Sequence, residues 1–138
     1  MKIFAITVFA VHTIFELLFG LTVFLNGASS SQTAEEIARQ SDGVKIAFRF
    51  MGSALFSLGV LGAITVFFAG VRSITGTLMA IGFLTFHVLG TLGSLWSAMP
   101  SFEVYASPFA LAALVLHGLL AVGFMVVVFN VQERSTSL

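Results

Sequence analysis

The chain has 138 residues, of which 58% are hydrophobic and 9% charged, and its formal net charge at pH 7 is zero. A water-soluble domain usually carries about 25% charged residues. This composition therefore excludes a cytosolic globular enzyme, a disordered tail and a coiled coil. A neutral chain without a basic block also argues against a nucleic-acid partner. The absence of cysteine excludes disulfides, thiolate metal sites and CxxC redox chemistry.

Four apolar runs are long enough to cross a bilayer, whose hydrocarbon core of about 30 Å requires about 20 helical residues. They predict transmembrane helices at residues 3–25, 46–69, 75–98 and 108–130. Because backbone exposed to lipid must satisfy its own hydrogen bonds, each run is expected to be helical. The sequence therefore predicts an all-α integral membrane protein, an antiparallel bundle of four transmembrane helices that forms one domain over residues 1–138.

The long connection at residues 26–44 contains a helix signal. Thr33 and Glu36 have the spacing of a capping box, with Thr33 at the N-cap and Glu36 at the third helical position. A short surface helix at about residues 34–40 is expected. Residues 70–73 predict a tight turn, and Ser107-Pro108 predicts the start of the last helix.

The four predicted spans place both termini and the turn near residue 70 on one side of the membrane. Lys2, Arg72, Arg134 and the terminal amine lie on that side, with Glu133 as its one acidic residue. The other side also carries three basic residues, but four acidic residues dilute them; these are Arg39, Lys45 and Arg49 against Glu35, Glu36, Asp42 and Glu103. Because cytoplasmic loops carry an excess of Lys and Arg, we expect both termini to be cytoplasmic. The alternative is that Met1-Lys2 and the following apolar run form a secretory signal peptide. That run is long for a signal peptide, and no clean A-x-A cleavage site follows it.

Ionisable side chains inside membrane spans are costly and are therefore candidate functional sites. The three histidines of the chain, His12, His87 and His117, all lie in predicted spans, and Glu16 is the one acidic residue inside a span. At about 1.5 Å of rise per residue, these side chains fall within a slab roughly 6 Å thick near the bilayer centre. The sequence thus predicts a polar site at mid-depth.

Helical spacing indicates which way these side chains face. His12 and Glu16 are four residues apart and share one face of the first helix. His87 and His117 lie on stripes of small residues, which mark the packed side of a membrane helix. All four are therefore expected to point into the bundle.

The second span carries no histidine. Its inward stripe is predicted to comprise Arg49, Ser53, Phe56 and Val60, with Gly52 and Ala63 alongside.

Three chemistries fit these residues. In the first, His12, His87 and His117 ligate a metal ion such as Zn, Fe or Cu, and Glu16 is a fourth ligand or the base. In the second, His87 and His117 are the axial ligands of a haem and Arg49 binds a propionate. In the third, Glu16 and His12 act without a cofactor as a catalytic acid or base.

A purely structural interpretation stands beside these three. A buried pair of His12 and Glu16 can hold the first helix against its neighbours through hydrogen bonds alone. Arg49 can be an interface anchor, with its charged end extended toward the headgroups.

The segments ELLFGLTVFLNG, RFMGSALFSLGVLGA and LHGLLAVGFMVVVF resemble the small four-helix membrane proteins grouped as DoxX-like. The likeness covers most of the chain and implies a four-helix membrane fold. The redox associations of that family transfer to no residue here, and the absence of cysteine counts against a thiol-linked role. In size and buried histidines the chain is also similar to small four-span haem-dependent epoxide isomerases.

These observations predict a membrane-embedded protein that binds or transforms a small apolar molecule at a His/Glu site, with a metal ion or haem as the helper. The alternative is a non-catalytic membrane subunit or assembly factor of a larger complex. The expected partners are the lipid bilayer, a small hydrophobic ligand, and further copies of the chain or a larger membrane complex.

Overall fold

The computed structural model describes residues 1–29, 32–99, 105 and 107–135. Ser30 and Ser31 of the predicted long loop lie outside the described residues. Every regular element in these ranges is helical. The elements are α1 (Lys2–Asn26), α2 (Ala34–Arg39), α3 (Asp42–Ile64), a π-helical segment (Thr65–Ala69), α4 (Ile74–Ala98) and α5 (Pro108–Ser135).

Four stretches of the described chain are long and apolar enough to cross a membrane. They are Lys2–Asn26, Asp42–Ala69, Ile74–Trp96 and Pro108–Asn130. The predicted fold class, an all-α bundle with four candidate transmembrane helices, is confirmed. That the whole chain forms one domain stays a prediction.

Two helices extend beyond their predicted bounds. α3 begins at Asp42 instead of residue 46, and α5 continues to Ser135 instead of ending at residue 130. At the start of α3, the Ser41 carbonyl accepts a hydrogen bond from the Lys45 N–H at 3.1 Å. Asp42 lies in the first turn, where its negative charge interacts favourably with the positive end of the helix dipole. The predicted bounds were too short because an apolar run gives only the part of a helix that can lie in lipid, and both helices continue into polar residues.

The surface helix α2 begins with the predicted capping box. The Thr33 hydroxyl accepts a hydrogen bond from the Glu36 N–H at 3.2 Å. The Glu36 carboxylate accepts one from the Thr33 N–H at 2.7 Å. These bonds satisfy backbone donors that the first turn of a helix leaves unpaired.

The second span ends in a wider helical turn. The Gly70 N–H donates to the Thr65 carbonyl at 2.8 Å, five residues back. Gly70 then adopts a φ of 83°, a left-handed conformation that suits glycine. Ser73 caps α4 by accepting from the Gly76 N–H at 2.9 Å. The tight turn predicted at residues 70–73 is present.

The chain divides into two compact units. The first unit contains residues 1–9 and the described residues from 65 onward, and the second unit contains residues 10–64. In the first unit, α4 and α5 pack in antiparallel directions. The Phe83 and Phe124 rings meet at 5.5 Å, and one turn further along α4 the His87 ring meets His117 at 5.0 Å.

In the second unit, α1 and α3 are antiparallel and touch backbone to backbone. A Cβ at Gly20 would collide with the backbone of Phe56, and a Cβ at Gly52 would collide with the backbone of Phe24. A Cβ at Gly59 would lie 2.8 Å from the Leu17 nitrogen. Glycine at these positions lets the two helices approach to a distance that no larger residue allows.

The predicted inward stripe of the second span is wrong. Ser53, Phe56 and Val60 are exposed on α3, whereas Gly52 and Gly59 are buried. Gly62 is buried on the same face. Three glycines at helical spacing form the flattest side of α3, so that side packs on α1 and the bulkier side chains face outward.

Candidate functional site

Two of the predicted site residues, His87 and His117, form a direct contact between α4 and α5. Their Nδ1 atoms lie 2.9 Å apart. In a pair of neutral imidazoles, one Nδ1 donates the proton and the other accepts it, so the two rings have opposite tautomers. His87 is fully buried and His117 is half-buried.

Aromatic rings surround this histidine pair. Phe86 lies against both imidazoles, at ring-centroid distances of 5.0 Å from His87 and 5.7 Å from His117. Phe124 stacks on His87 at 5.8 Å with 9° between the ring planes. The ring of Phe9 contacts Phe124 at 5.1 Å. Such packing restricts the imidazole of His87 to one orientation in apolar surroundings.

Small residues on α4 make room for the second imidazole. A Cβ at Gly90 would lie 3.0 Å from Nδ1 of His117, closer than ordinary packing permits. The Thr91 hydroxyl donates to the backbone carbonyl of His87 at 2.8 Å and so is satisfied within its own helix. The predicted small, polar stripe beside His87 therefore receives the ring of His117.

His12 and Glu16 lie on one face of α1, four residues apart, and both are buried. Their exposed fractions are 0% and 3%. Gly62 of α3 packs on this face, where an added Cβ would lie 3.1 Å from Cδ2 of His12. The position of Gly62 was not predicted from the sequence. Its spacing of three residues from Gly59 was the available signal.

The Glu16 side chain, at 3% exposure, keeps almost no contact with the surroundings of the chain. Transfer of an unpaired carboxylate out of water costs so much free energy that such a group takes up a proton or a cation instead. The buried Glu16 carboxyl therefore either carries a proton or lies beside a cation.

Arg49 lies far from His12 along the helices. It is exposed on α3, and its Nε atom lies 3.4 Å from the place that a Cβ of Gly27 would take. Thirteen residues of helix, about 20 Å, separate it from Gly62, which packs on His12. The structure does not bring Arg49 to His12, and this placement agrees with its interpretation as an interface anchor.

The distance between His87 and His117 can be compared with the distance that two axial ligands of a haem require. Bonds from metals to imidazole nitrogen are about 2.0 Å long, so two axial ligands lie about 4 Å apart across an iron. The Nδ1 atoms of His87 and His117 are 2.9 Å apart and suit a direct hydrogen bond. The contact through these two atoms does not fit an axial pair.

The predicted ligands thus fall two in each unit, with His87 and His117 in the first and His12 and Glu16 in the second. No protein-family model, curated protein or solved structure matches the chain. The resemblance to DoxX-like proteins stays a prediction from the layout of the spans.

Proposed function

We propose that this protein binds one divalent metal ion through His12 and Glu16 of α1, and that the ion serves to bind or transform a small apolar molecule inside the membrane. The observation that carries the proposal is the Glu16 carboxylate, which is 3% exposed and lies one helical turn from the fully buried imidazole of His12. A cation beside it would remove the cost of burying its charge.

The donor set supports a transition metal. His12 and Glu16 are both buried, and each offers one ligand atom. An imidazole and a carboxylate suit Zn or Fe, and they leave coordination positions open for a substrate. Such an ion polarises a substrate oxygen when it is bound.

His87 and His117, which the sequence also predicts as ligands, belong to the first unit and are not part of this ligand set. Their contact uses Nδ1 of both rings, so these two nitrogen atoms serve each other.

Metal analysis tests the proposal. Protein purified in detergent after expression with added Zn or Fe is expected to hold about one ion per chain. Glu16→Gln is expected to abolish this stoichiometry, because an amide keeps the shape of the side chain but loses its charge. Glu35→Gln is the matched control, since Glu35 is exposed on α2.

A monodisperse wild-type protein without stoichiometric metal would overturn the proposal, as would Glu16→Gln protein with a full complement of metal. A Soret band in the optical spectrum would favour the haem hypothesis instead. Metal-free protein whose activity depends on Glu16 would favour acid–base chemistry without a cofactor. Metal-free protein that has no activity but co-purifies with larger subunits would favour the assembly role.

A further inference from the structure

A groove runs between α1 and α3 of the second unit, on the outward side of their glycine contact. One part of it encloses about 250 Å³, with Leu21 and Phe24 on one wall and Phe56, Ser53 and Ser57 on the other. The serine hydroxyls are satisfied within α3, because Ser57 donates to the Ser53 carbonyl at 2.8 Å. The groove therefore presents an apolar surface.

The cationic side chain of Arg49 lines one end of the groove. Its second part, of about 180 Å³, shares Phe24 and Ser53 with the first part and is also lined by Ile46, Phe50 and Arg49. The two parts therefore adjoin. Together they form an apolar channel, open along its side, with a guanidinium group at one end.

The chain provides no counterion for Arg49 among the described residues. The acidic residues of α2 and of the start of α3 have other partners. These pairs are Glu35 with Arg39, Glu36 with Thr33, and Asp42 with Lys45. A lone guanidinium beside an apolar channel favours a ligand with an anionic end.

Depth along the helix identifies that ligand as lipid. The span Asp42–Ala69 has 28 residues, about 42 Å of helix, which exceeds a hydrocarbon core of about 30 Å. If the excess is shared between the ends, Arg49 begins about 4 Å inside the core boundary. Its side chain can extend from there to the level of the lipid phosphates.

We propose that this groove is a binding site for one anionic phospholipid. Arg49 pairs with the phosphate, and one acyl chain lies along Phe50, Phe24 and Phe56. This site is independent of the proposed metal ligands, since Arg49 lies about 20 Å along α3 from the contact with His12.

Two lipids with the same acyl chains test the charge requirement. Purified protein in detergent is titrated with dioleoyl phosphatidylglycerol or dioleoyl phosphatidylcholine, and bound lipid is counted by native mass spectrometry. Wild type is expected to prefer the anionic lipid, and Arg49→Gln to weaken its binding by about fivefold, as for one basic side chain at an anionic surface. Arg49→Lys keeps the preference, and so does the control Arg39→Gln on α2.

A second variant tests the groove itself. Ser53→Phe fills the channel and is expected to weaken both lipids. Equal binding of the two lipids to wild type would overturn the proposal, as would unchanged anionic-lipid binding by Arg49→Gln. Competition by millimolar inorganic phosphate would overturn it in favour of a site for small anions.

Discussion

The imidazole of His87 has close neighbours on two sides. Nδ1 faces the ring of His117 at 2.9 Å, and Phe124 lies flat on the imidazole at a centroid distance of 5.8 Å. Rotation of the ring is opposed on two sides. The orientation of the His87 imidazole is therefore set by its neighbours on α4 and α5.

Gly90→Ala is expected to disturb the histidine pair. The new methyl group would lie 3.0 Å from Nδ1 of His117, so that ring must move by a few tenths of an ångström. We expect a loss of about 1–3 kcal/mol in stability and a shift in the imidazole ¹⁵N resonances of both histidines.

Gly82→Ala is the control on the same helix, because nothing lies within 4 Å of its added Cβ. It is expected to be neutral or to stabilise by up to about 1 kcal/mol, owing to the higher helix propensity of alanine. Equal effects of the two variants would contradict the role assigned to Gly90.

The candidate residues were predictable from the sequence, but their partners were not. Rarity alone selects His12, Glu16 and His87, because ionisable groups in apolar spans are costly and therefore few. The contact between His87 and His117 depends on how α4 and α5 rotate against each other. That rotation is decided by packing over the whole helix, which the spacing of small residues indicates only coarsely.

At the scale of elements, the contact between α1 and α3 is the tightest packing in the second unit. Gly52→Ala is expected to force the helices apart, because the new Cβ would meet the backbone of Phe24, which cannot rotate away. We expect a loss of about 3 kcal/mol or more, measured by thermal unfolding in detergent.

Gly43→Ala is the matched control in α3, since its added Cβ would meet only the Ser41 hydroxyl at 4.0 Å. Its melting temperature should stay close to that of wild type. If Gly52→Ala had the same melting temperature as Gly43→Ala, the close approach of α1 and α3 would be refuted.

The capping box makes α2 sensitive to acid. Hydrogen bonds from the Thr33 backbone and hydroxyl hold the pKa of the Glu36 carboxyl below its usual 4.5. Its contribution to the stability of α2 is therefore fully present above the pKa of the unfolded chain, about 4.3, and is lost as pH falls through the lowered pKa.

NMR amide shifts of residues 34–39 recorded during an acid titration measure this loss. Thr33→Ser keeps the hydroxyl and should behave as wild type, whereas Thr33→Ala should reduce the helicity of α2 at neutral pH as well. Helicity that stays constant through the titration would show that the capping box contributes nothing to α2.

The span prediction succeeded because length and hydropathy directly reflect the thickness of a bilayer. The same signal misplaced the start of α3, where Asp42 and Lys45 are helical but polar. It also misassigned the buried face of α3. In lipid, the distribution of apolar side chains around a helix says little about which face is buried, since both the lipid and the protein interior are apolar.

At the scale of the molecule, four spans determine the sidedness of the loops. The natural chain has no cysteine, so single cysteines report position without background. We expect Lys2→Cys and Arg72→Cys to react with an impermeant maleimide from the cytoplasmic side, and Ser41→Cys from the opposite side.

Labelling of Lys2→Cys and Ser41→Cys from one side would show that the first apolar run does not span the membrane. A mature protein that lacks Lys2→Cys altogether would favour the signal-peptide alternative, and His12 and Glu16 would then be absent from the mature chain. The proposed metal site requires that both remain.

The wide turn at Thr65–Ala69 affects where the second span can tolerate a deletion. In this turn the Gly70 N–H bonds to the Thr65 carbonyl, five residues back. A π-turn holds one residue more than regular α-helical winding requires. Loss of a single codon there would restore the ordinary repeat, whereas the same loss in the middle of α4 would rotate every later side chain by about 100°. Natural length variation in this second span should therefore concentrate in these five positions.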